Sequence, residues 1–182
     1  MMSLSNDLSN LNHAEIMPRD RLVDYSVDGV APEAVLLPKN VEAVSQVLSS
    51  AAEEGMTVTP WGGGTQIALG NTPKRVDVVL GTRHLDRMLF HEPGDMVASF
   101  ESGMTLNSIQ LELGKMEQFL PLEPALPSRA TIGGVLATNV IGPPRLAFWT
   151  ARDWLIGVKV VHSSGAVTKS GGRVVKNVTG YD

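Results

Sequence analysis

The sequence predicts an α+β protein built from two lobes, on the strength of three observations. Strand and helix patterns alternate over residues 34–80, as they do in a small α/β lobe. From residue 91 onward, strand patterns and capped helices are followed by a hairpin pattern, which is typical of an α+β lobe with antiparallel strands. The chain has 182 residues, enough for one ordinary domain or for two small lobes that share a ligand. We expect an N-terminal extension over 1–30 that is partly disordered, a first lobe over 31–90 and a second lobe over 91–182.

The first lobe opens with a strand over Ala34–Leu37, which Pro38 ends. Asn40 is a typical N-cap for the helix that follows, and Gly55 is a typical left-handed residue at a helix end. The apolar residues of this helix recur every three or four positions, so they form one buried face. They are Val41, Val44, Val47, Leu48 and Ala51.

Two further strands flank a glycine-rich loop. Thr57–Thr59 is a β-branched run, and Val76–Leu80, which contains Asp77, is an apolar run after a turn at 70–73. Between them lies Pro60–Gln66, with the sequence PWGGGTQ. Consecutive glycines can adopt positive φ and expose their N–H groups, so the loop can form a nest of donors for an anion, most often a phosphate. A tight turn without a ligand explains the same residues equally well.

The glycine loop departs from two common nucleotide-binding patterns. A P-loop needs a Lys-Ser or Lys-Thr pair after its last glycine, whereas Asn71 follows Gly70. A Rossmann site needs spaced glycines and an acidic residue at a strand end about 20 residues later, whereas Asp86 follows a turn-like segment. The pattern therefore argues against triphosphatase chemistry and disfavours a Rossmann fold.

The second lobe begins with a turn at Glu92–Asp95 and a strand over Met96–Glu101. Thr105 is the N-cap of a helix that Gly114 ends, and its apolar face consists of Leu106, Ile109 and Leu113. The next segment, Phe119–Ala130, contains three prolines, which exclude a helix or a central strand. We expect an ordered connector or a ligand-lining loop there.

Thr131 precedes Ile132–Asn139, and two early glycines follow the threonine. This pattern predicts a short helix with an open, donor-rich N-terminus, which would be a second candidate site for an anion or a dipole. Farther on, Trp154–Val161 and Ala166–Lys169 read as the strands of a hairpin around a turn at His162–Gly165.

Composition narrows the function classes. The net charge is −4 and no basic run occurs, which argues against nucleic-acid binding. The chain has no cysteine, so it has no disulfide, thiolate metal site or cysteine nucleophile of its own. No apolar stretch reaches about 18 residues and no signal peptide is evident, so we expect no transmembrane segment and a cytoplasmic location.

Several spaced segments, taken in order, resemble the FAD-binding subunits of bacterial glycolate oxidases, which are FAD-linked oxidases of the vanillyl-alcohol oxidase type. Ordered motifs of this kind are far more specific than a single glycine loop. The resemblance covers roughly Ala34–Asp182 and implies a PCMH-type FAD-binding domain with the cofactor between its two lobes. The segments are PWGGGTQIALG at 60–70, PLEPA at 121–125, ATIGGVLATN at 130–139, GPPR at 142–145, RDWLIGV at 152–158 and GGRVVKNVTGYD at 171–182.

The resemblance also implies which residues bind FAD. The pyrophosphate would lie on the glycine loop, the flavin against the proline-rich segment and the TIGG helix start, and the adenine or ribitol near the strand after RDW. The implied set is Pro60, Trp61, Gly62, Gly63, Gly64, Thr65, Gln66, Gly70, Pro121, Glu123, Thr131, Ile132, Gly133, Gly134, Ala137, Thr138, Val158 and Val160. Covalent attachment in the family uses a histidine in or near the loop, where this chain has Gly64 and Thr65, so noncovalent FAD is implied.

The family usually has a glycine after the aromatic residue that corresponds to Phe148, where this chain has Trp149. We expect the larger side chain to reshape that edge. The family also continues beyond Gly-Tyr-Asp with the rest of the FAD domain and a cap domain. We therefore expect a second lobe truncated at its C-terminal end and no cap domain within this sequence.

The implied function is two-electron oxidation of a small 2-hydroxy acid such as glycolate through the flavin. The implied partners are a sister flavoprotein subunit, where substrate oxidation is expected, and an iron–sulfur subunit; they could place the chain at the inner face of the membrane. The alternative is a noncatalytic fragment or assembly module that binds FAD weakly or not at all.

No catalytic residue follows from the sequence. Glu123 is a carboxylate in a segment expected near the flavin, but a lone carboxylate without a partner is not a base. Arg152 and Asp153 could form a functional pair, although a structural ion pair or a cap before a strand is the favoured interpretation. The four histidines lack metal-ligand spacing, and no metal site is expected.

Overall fold

Residues 13–140, 142–143 and 145–172 are described by the computed structural model. They fall into two units, each held together by contacts within itself. The first contains the residues up to Trp61, together with Ile67–His84 and Val160–Thr168, and the second contains Gly62–Gln66, Leu85–Lys159 and the residues from Lys169. The closing motif from residue 173 onward lies outside the described residues. The lobe boundaries expected after residues 30 and 90 stay predictions.

A four-stranded mixed sheet forms the centre of the first unit. Its strands lie in the spatial order β1-β2-β4-β3: β1 is Ala14–Ile16, β2 is Ala34–Pro38, β3 is Val58–Trp61 and β4 is Val78–Gly81. β1 is antiparallel to β2, whereas β2 and β3 are both parallel to β4. β2 and β3 therefore run in the same direction, and parallel strands need a crossover connection. Helix α1, Val41–Glu53, is this connection.

Helix α1 forms as the sequence predicts. The Asn40 side chain caps it by accepting a hydrogen bond from the Ala43 N–H at 2.8 Å, and Gly55 has φ +64° just beyond its end. The fully buried face is narrower than predicted, because Val41 and Leu48 are only half-buried. The buried residues of the helix are Ala43, Val44, Val47 and Ala51.

Strand β3 is longer than predicted and takes in the first two residues of the expected loop. Pro60 and Trp61 pair with Leu80 and Gly81 of β4. Proline is tolerated there because β3 is an edge strand. The glycine loop therefore begins at Gly62.

A buried carboxylate joins β3 to β4 in this sheet. The Oδ2 of Asp77 accepts hydrogen bonds from the Thr57 N–H at 2.6 Å and the Thr57 hydroxyl at 2.9 Å. The Asp77 N–H donates in turn to the Thr57 hydroxyl at 3.0 Å, and the Arg75 guanidinium lies 3.2 Å from the carboxylate. These donors, Thr57 first, hold the pKa of Asp77 below its ordinary value.

Part of the expected N-terminal extension is folded onto this sheet. Residues 14–16 form β1, and a 3-10 helix spans Arg19–Tyr25. The Glu15 carboxylate lies 2.6 Å from the His84 ring, and this contact lowers the pKa of Glu15. A three-residue strand carries too little pattern to be predicted from sequence.

The described part of the second unit contains a two-stranded antiparallel sheet and three α-helices, together with 3-10 helices at Pro93–Asp95 and Ala151–Trp154. β5 is Met88–Glu92 and β6 is Val97–Phe100; the helices are α2, Leu106–Gly114, α3, Ile132–Thr138, and α4, Arg145–Phe148. The caps at Thr105 and Thr131 are confirmed, since each hydroxyl accepts an N–H at the start of its helix. The core consists of Met104, Leu106, Ile109, Leu113, Leu122, Ala130, Ile132, Val135 and Ala151.

A hairpin ends the described chain, with β7 at Gly157–Val161 and β8 at Val167–Gly171. The predicted start of its first strand at Trp154 is wrong, because Ala151–Trp154 forms a 3-10 helix. The Asp153 carboxylate caps this helix by accepting hydrogen bonds from the Thr150 N–H at 2.8 Å and the Thr150 hydroxyl at 2.6 Å. These two hydrogen bonds, the hydroxyl first, lower the pKa of Asp153. The cap interpretation of Asp153 is thereby confirmed. Within the described residues, no helix is long and apolar enough to cross a membrane.

Candidate functional site

Each of the three glycines of the loop has a local structural reason to be glycine. A Cβ on Gly62 would overlap the Thr131 hydroxyl, and a Cβ on Gly63 would overlap the carbonyl group of Arg129. Gly64 has φ +67°, a conformation that disfavours any residue with a side chain. The backbone of the loop therefore packs against the backbone of Arg129 and Ala130 and against the Thr131 side chain, within the second unit.

The loop retains a row of unused hydrogen-bond donors. Among the residues that the structure describes, none accepts a hydrogen bond from a backbone N–H of Gly62–Gln66. The loop is half-buried, and unpaired donors that are partly withdrawn from water favour an anionic partner. The Thr65 hydroxyl and the Gln66 amide also have no partner within the described part of the chain. This arrangement favours the anion nest over a turn that satisfies itself.

The start of α3 behaves in the opposite way, and the prediction of an open, donor-rich N-terminus is wrong. The Ile132 N–H donates to the Met104 carbonyl at 2.9 Å, and the Gly133 N–H donates to the Ser102 carbonyl at 2.8 Å. The Gly134 N–H donates to the Thr131 hydroxyl at 3.3 Å. The helix start is closed because the segment before α2 supplies the acceptors, a long-range pairing that sequence does not reveal.

Gly133 has a packing reason of its own. A Cβ on this residue would lie 2.8 Å from both the Cβ and the carbonyl oxygen of Ser102. The glycine thus permits close contact with the segment before α2. The close contact with Ser102 explains why a glycine stands at this position.

The remaining predicted residues have varied surroundings. Pro121 is buried, whereas Glu123 and Ala137 are exposed. The Thr138 hydroxyl donates to the Gly134 carbonyl of its own helix at 2.9 Å. Gly70 has φ +117°, and no heavy atom of the described chain lies within 4 Å of a Cβ built there.

On β7, Val158 is half-buried and Val160 is 41% exposed. The two valines are two residues apart and therefore point to the same side of the strand. Their predicted role near the adenine or ribitol stays a prediction.

Sequence reasoning missed Arg129, which directly contacts the loop. Its Nη2 donates to the Gly63 carbonyl at 3.1 Å. A single arginine in a proline-rich segment belongs to no recognisable pattern, so only the fold reveals it. Ser102 belongs to no recognisable pattern either, and only the fold reveals that its carbonyl accepts from the Gly133 N–H.

Trp149, which the resemblance implies is a departure from glycine, has a left-handed backbone. Its φ is +66°, and its side chain is 70% exposed. A glycine adopts this conformation without strain, whereas a bulky side chain does so at a cost of roughly 1–2 kcal/mol.

A family model described as "FAD binding domain" matches residues 32–171. The chain belongs to this family. The resemblance to FAD-linked oxidases is thereby confirmed, and FAD is the cofactor. The unpaired donors of Gly62–Gln66 fit such a cofactor, because FAD carries a diphosphate with negatively charged oxygens.

Curated relatives of this FAD-binding domain include several named oxidoreductases. The glycolate oxidase subunit GlcD of Bacillus subtilis is 32% identical over 168 residues, which is 89% of this chain and 35% of the relative. A D-2-hydroxyglutarate dehydrogenase of Xanthomonas citri is 30% identical over 83% of this chain and 32% of the relative. A D-lactate dehydrogenase of Archaeoglobus fulgidus is 31% identical over 84% of this chain and 35% of the relative. The chain thus spans about a third of the length of these relatives.

Solved structures confirm the PCMH-type fold. Physcomitrella patens BBE-like 1 matches with a TM-score of 0.78 and 19% identity over 93% of this chain and 38% of its own. The 6-hydroxy-D-nicotine oxidase of Arthrobacter nicotinovorans matches with a TM-score of 0.75 and 15% identity over the same shares. At this identity the likeness concerns the fold alone.

Proposed function

We propose that this chain is the FAD-binding part of a flavoprotein subunit in a glycolate oxidase-type complex. The complex would oxidise a small 2-hydroxy acid, with glycolate to glyoxylate as the first candidate. Three curated relatives are named for glycolate, D-2-hydroxyglutarate and D-lactate, which are all 2-hydroxy acids. The observation that carries the cofactor assignment is the row of unpaired N–H groups in Gly62–Gln66.

In this proposal the glycine loop holds the FAD diphosphate with backbone donors and the Thr65 hydroxyl. Such donors are fixed before the ligand arrives, so little ordering entropy is lost on binding. Pro60 and Trp61 anchor the loop at the end of β3, and Gly70 leaves room beside the chain that follows.

The flavin would be lined by Pro121, Glu123 and Thr131–Gly134, with Ala137 and Thr138 on the next turn of α3. Val158 and Val160 would lie near the adenine or ribitol. Bound FAD supplies the two-electron chemistry, and the protein supplies binding and electrostatic tuning. No residue of this chain is assigned as a catalytic acid or base.

The proposed partners are a sister flavoprotein subunit and an iron–sulfur subunit, with the complex in the cytoplasm or at the inner face of the membrane. Substrate oxidation is assigned to the sister subunit, and this chain to an accessory or electron-transfer role. Anaerobic addition of glycolate should then bleach the flavin of this chain only when the sister subunit is present. Bleaching of the isolated chain would instead place substrate oxidation here.

The test of the cofactor site is noncovalent FAD uptake by the purified chain, measured by flavin absorbance after desalting and by titration. Thr65→Val keeps the shape of the side chain and removes one hydrogen bond to a charged group, so affinity should fall about tenfold. Thr168→Val is the matched control, since this exposed hydroxyl contacts His162 on the hairpin.

Equal affinity of the Thr65 variant and the wild type would remove the hydroxyl from the site. A wild-type chain that takes up no FAD would favour the noncatalytic assembly module instead.

A further inference from the structure

Arg129 contacts the glycine loop through both its main chain and its side chain. Its carbonyl group lies so close to the Gly63 Cα that a Cβ there would stand 2.6 Å from the Arg129 carbonyl carbon. Its guanidinium reaches back and donates to the carbonyl oxygen of Gly63 at 3.1 Å. Arg129 therefore contacts Gly63 at two points, the Cα through its carbonyl group and the carbonyl oxygen through its guanidinium.

This double contact fixes the orientation of one peptide group. The Gly63 carbonyl and the Gly64 N–H belong to the same planar trans peptide, so they point in opposite directions. When the oxygen is directed to the Arg129 guanidinium, the Gly64 N–H is directed away from it. No described residue accepts a hydrogen bond from that N–H.

Without such an anchor the peptide could turn over. Both flanking residues are glycines, which adopt positive and negative φ about equally readily, and Gly64 has φ +67°. A flipped peptide would present the Gly63 carbonyl oxygen where the Gly64 N–H now points, and that oxygen would repel an anion. The hydrogen bond from a charged donor also polarises the peptide, which strengthens its N–H as a donor.

We propose that Arg129 is a positioning residue that holds the Gly63–Gly64 peptide with its N–H facing the FAD diphosphate. The inference rests on the proposed role of the loop as the diphosphate site. Arg129 contacts the far side of this peptide and acts through the loop. The expected consequence is a loop whose donors are aligned before any ligand binds.

The test compares FAD affinity of the wild type, Arg129→Gln and Arg129→Lys, with Arg19→Gln as a control for the loss of one exposed positive charge. Arg19 is exposed and lies in the first unit. Arg129→Gln should weaken FAD binding by about tenfold, and Arg129→Lys should recover part of the loss because lysine keeps a charged donor. Arg19→Gln should bind like the wild type.

A second readout follows the Gly64 amide resonance during titration with inorganic diphosphate. It should shift saturably in the wild type and shift much less in Arg129→Gln. Thermal unfolding without ligand reports whether each variant is folded. If Arg129→Gln does not fold, the FAD affinity of Arg129→Lys is compared with that of the wild type, and an unchanged affinity overturns the proposal. If neither variant folds, Arg129 is needed for folding, and the proposal is overturned as well.

The outcomes separate this inference from the function beneath it. Wild-type FAD binding with an unchanged affinity in folded Arg129→Gln overturns the positioning role alone. A wild type that binds neither FAD nor diphosphate overturns the proposed cofactor site, and the positioning role with it.

Discussion

Gly63→Ala is the sharpest perturbation of the contact between the glycine loop and residues 129–131. The added Cβ would stand 2.6 Å from the Arg129 carbonyl carbon, about 0.8 Å short of the 3.4 Å at which ordinary van der Waals contact begins. The obstacle is backbone, which has no rotamer to adopt, so the loop or the 129–131 segment must move. Overpacking of this kind costs about 3 kcal/mol, the upper end of the usual range.

Two other glycines calibrate this value. Gly55→Ala meets no atom within 4 Å but must keep φ +64°, so it should lose about 1 kcal/mol from strain alone. Gly114→Ala also meets no atom, and it lies at the end of α2 without a positive φ, so it should gain about 0.5 kcal/mol.

Urea unfolding followed by tryptophan fluorescence and far-UV circular dichroism measures all three variants. A loss of about 3 kcal/mol corresponds to a fall in melting temperature of roughly 6–12 °C for a chain of this size. The reasoning is refuted if Gly63→Ala is as stable as Gly55→Ala or more so. Because Gly63→Ala disturbs packing, its loss of FAD uptake would not by itself identify the diphosphate site.

Three other perturbations have definite expected outcomes. Thr57→Val should cost about 2 kcal/mol at neutral pH in urea unfolding, because the Asp77 carboxylate and N–H both lose the Thr57 hydroxyl. The Thr57 N–H, which the variant keeps, and the Thr57 hydroxyl both hold the folded pKa of Asp77 below its ordinary value of 3.8. The part of the stabilisation that the hydroxyl gives to the carboxylate is therefore complete above that pH and is lost as the pH falls. A stability difference between variant and wild type that widens in acid would contradict this reasoning. Trp149→Gly should raise stability by about 1 kcal/mol, since it removes a bulky side chain at φ +66°, and a destabilised variant would show that the exposed indole packs usefully. Gly165→Ala should release the hairpin turn from α1, because a Cβ there would lie 2.7 Å from the Ser45 carbonyl oxygen. Trypsin should then cleave the hairpin at Lys159 and Lys169 faster than in the wild type. An unchanged cleavage rate would count against packing of the turn on α1 through Gly165.

The sequence predicts the elements whose signals are local. Asn40, Thr105 and Thr131 are recognised as caps because the N-cap chemistry acts within three residues, and each side chain accepts the expected N–H. The family and its cofactor follow from several ordered motifs rather than from any single loop.

What the sequence does not predict depends on pairing across distance. β1 has only three residues and β5 carries no clear alternation, so their partners decide whether they form. The closed start of α3 depends on acceptors at Ser102 and Met104, about thirty residues earlier. Local capping chemistry reveals that a helix begins at Thr131, but it does not reveal whether the helix start keeps free donors.

The glycine loop shows the same division. Its glycines predict that the loop backbone closely approaches another group. The structure identifies residues 129–131 as one such group. We propose that an anion takes the N–H groups of Gly62–Gln66, because these groups have no acceptor among the described residues.

The most direct test is a titration of the ¹⁵N-labelled chain with FAD, followed through the amide resonances of Gly62–Gln66. We expect these resonances to shift together and to saturate at one FAD per chain. Tight FAD binding that leaves all of them unmoved would contradict the assignment of the diphosphate to this loop.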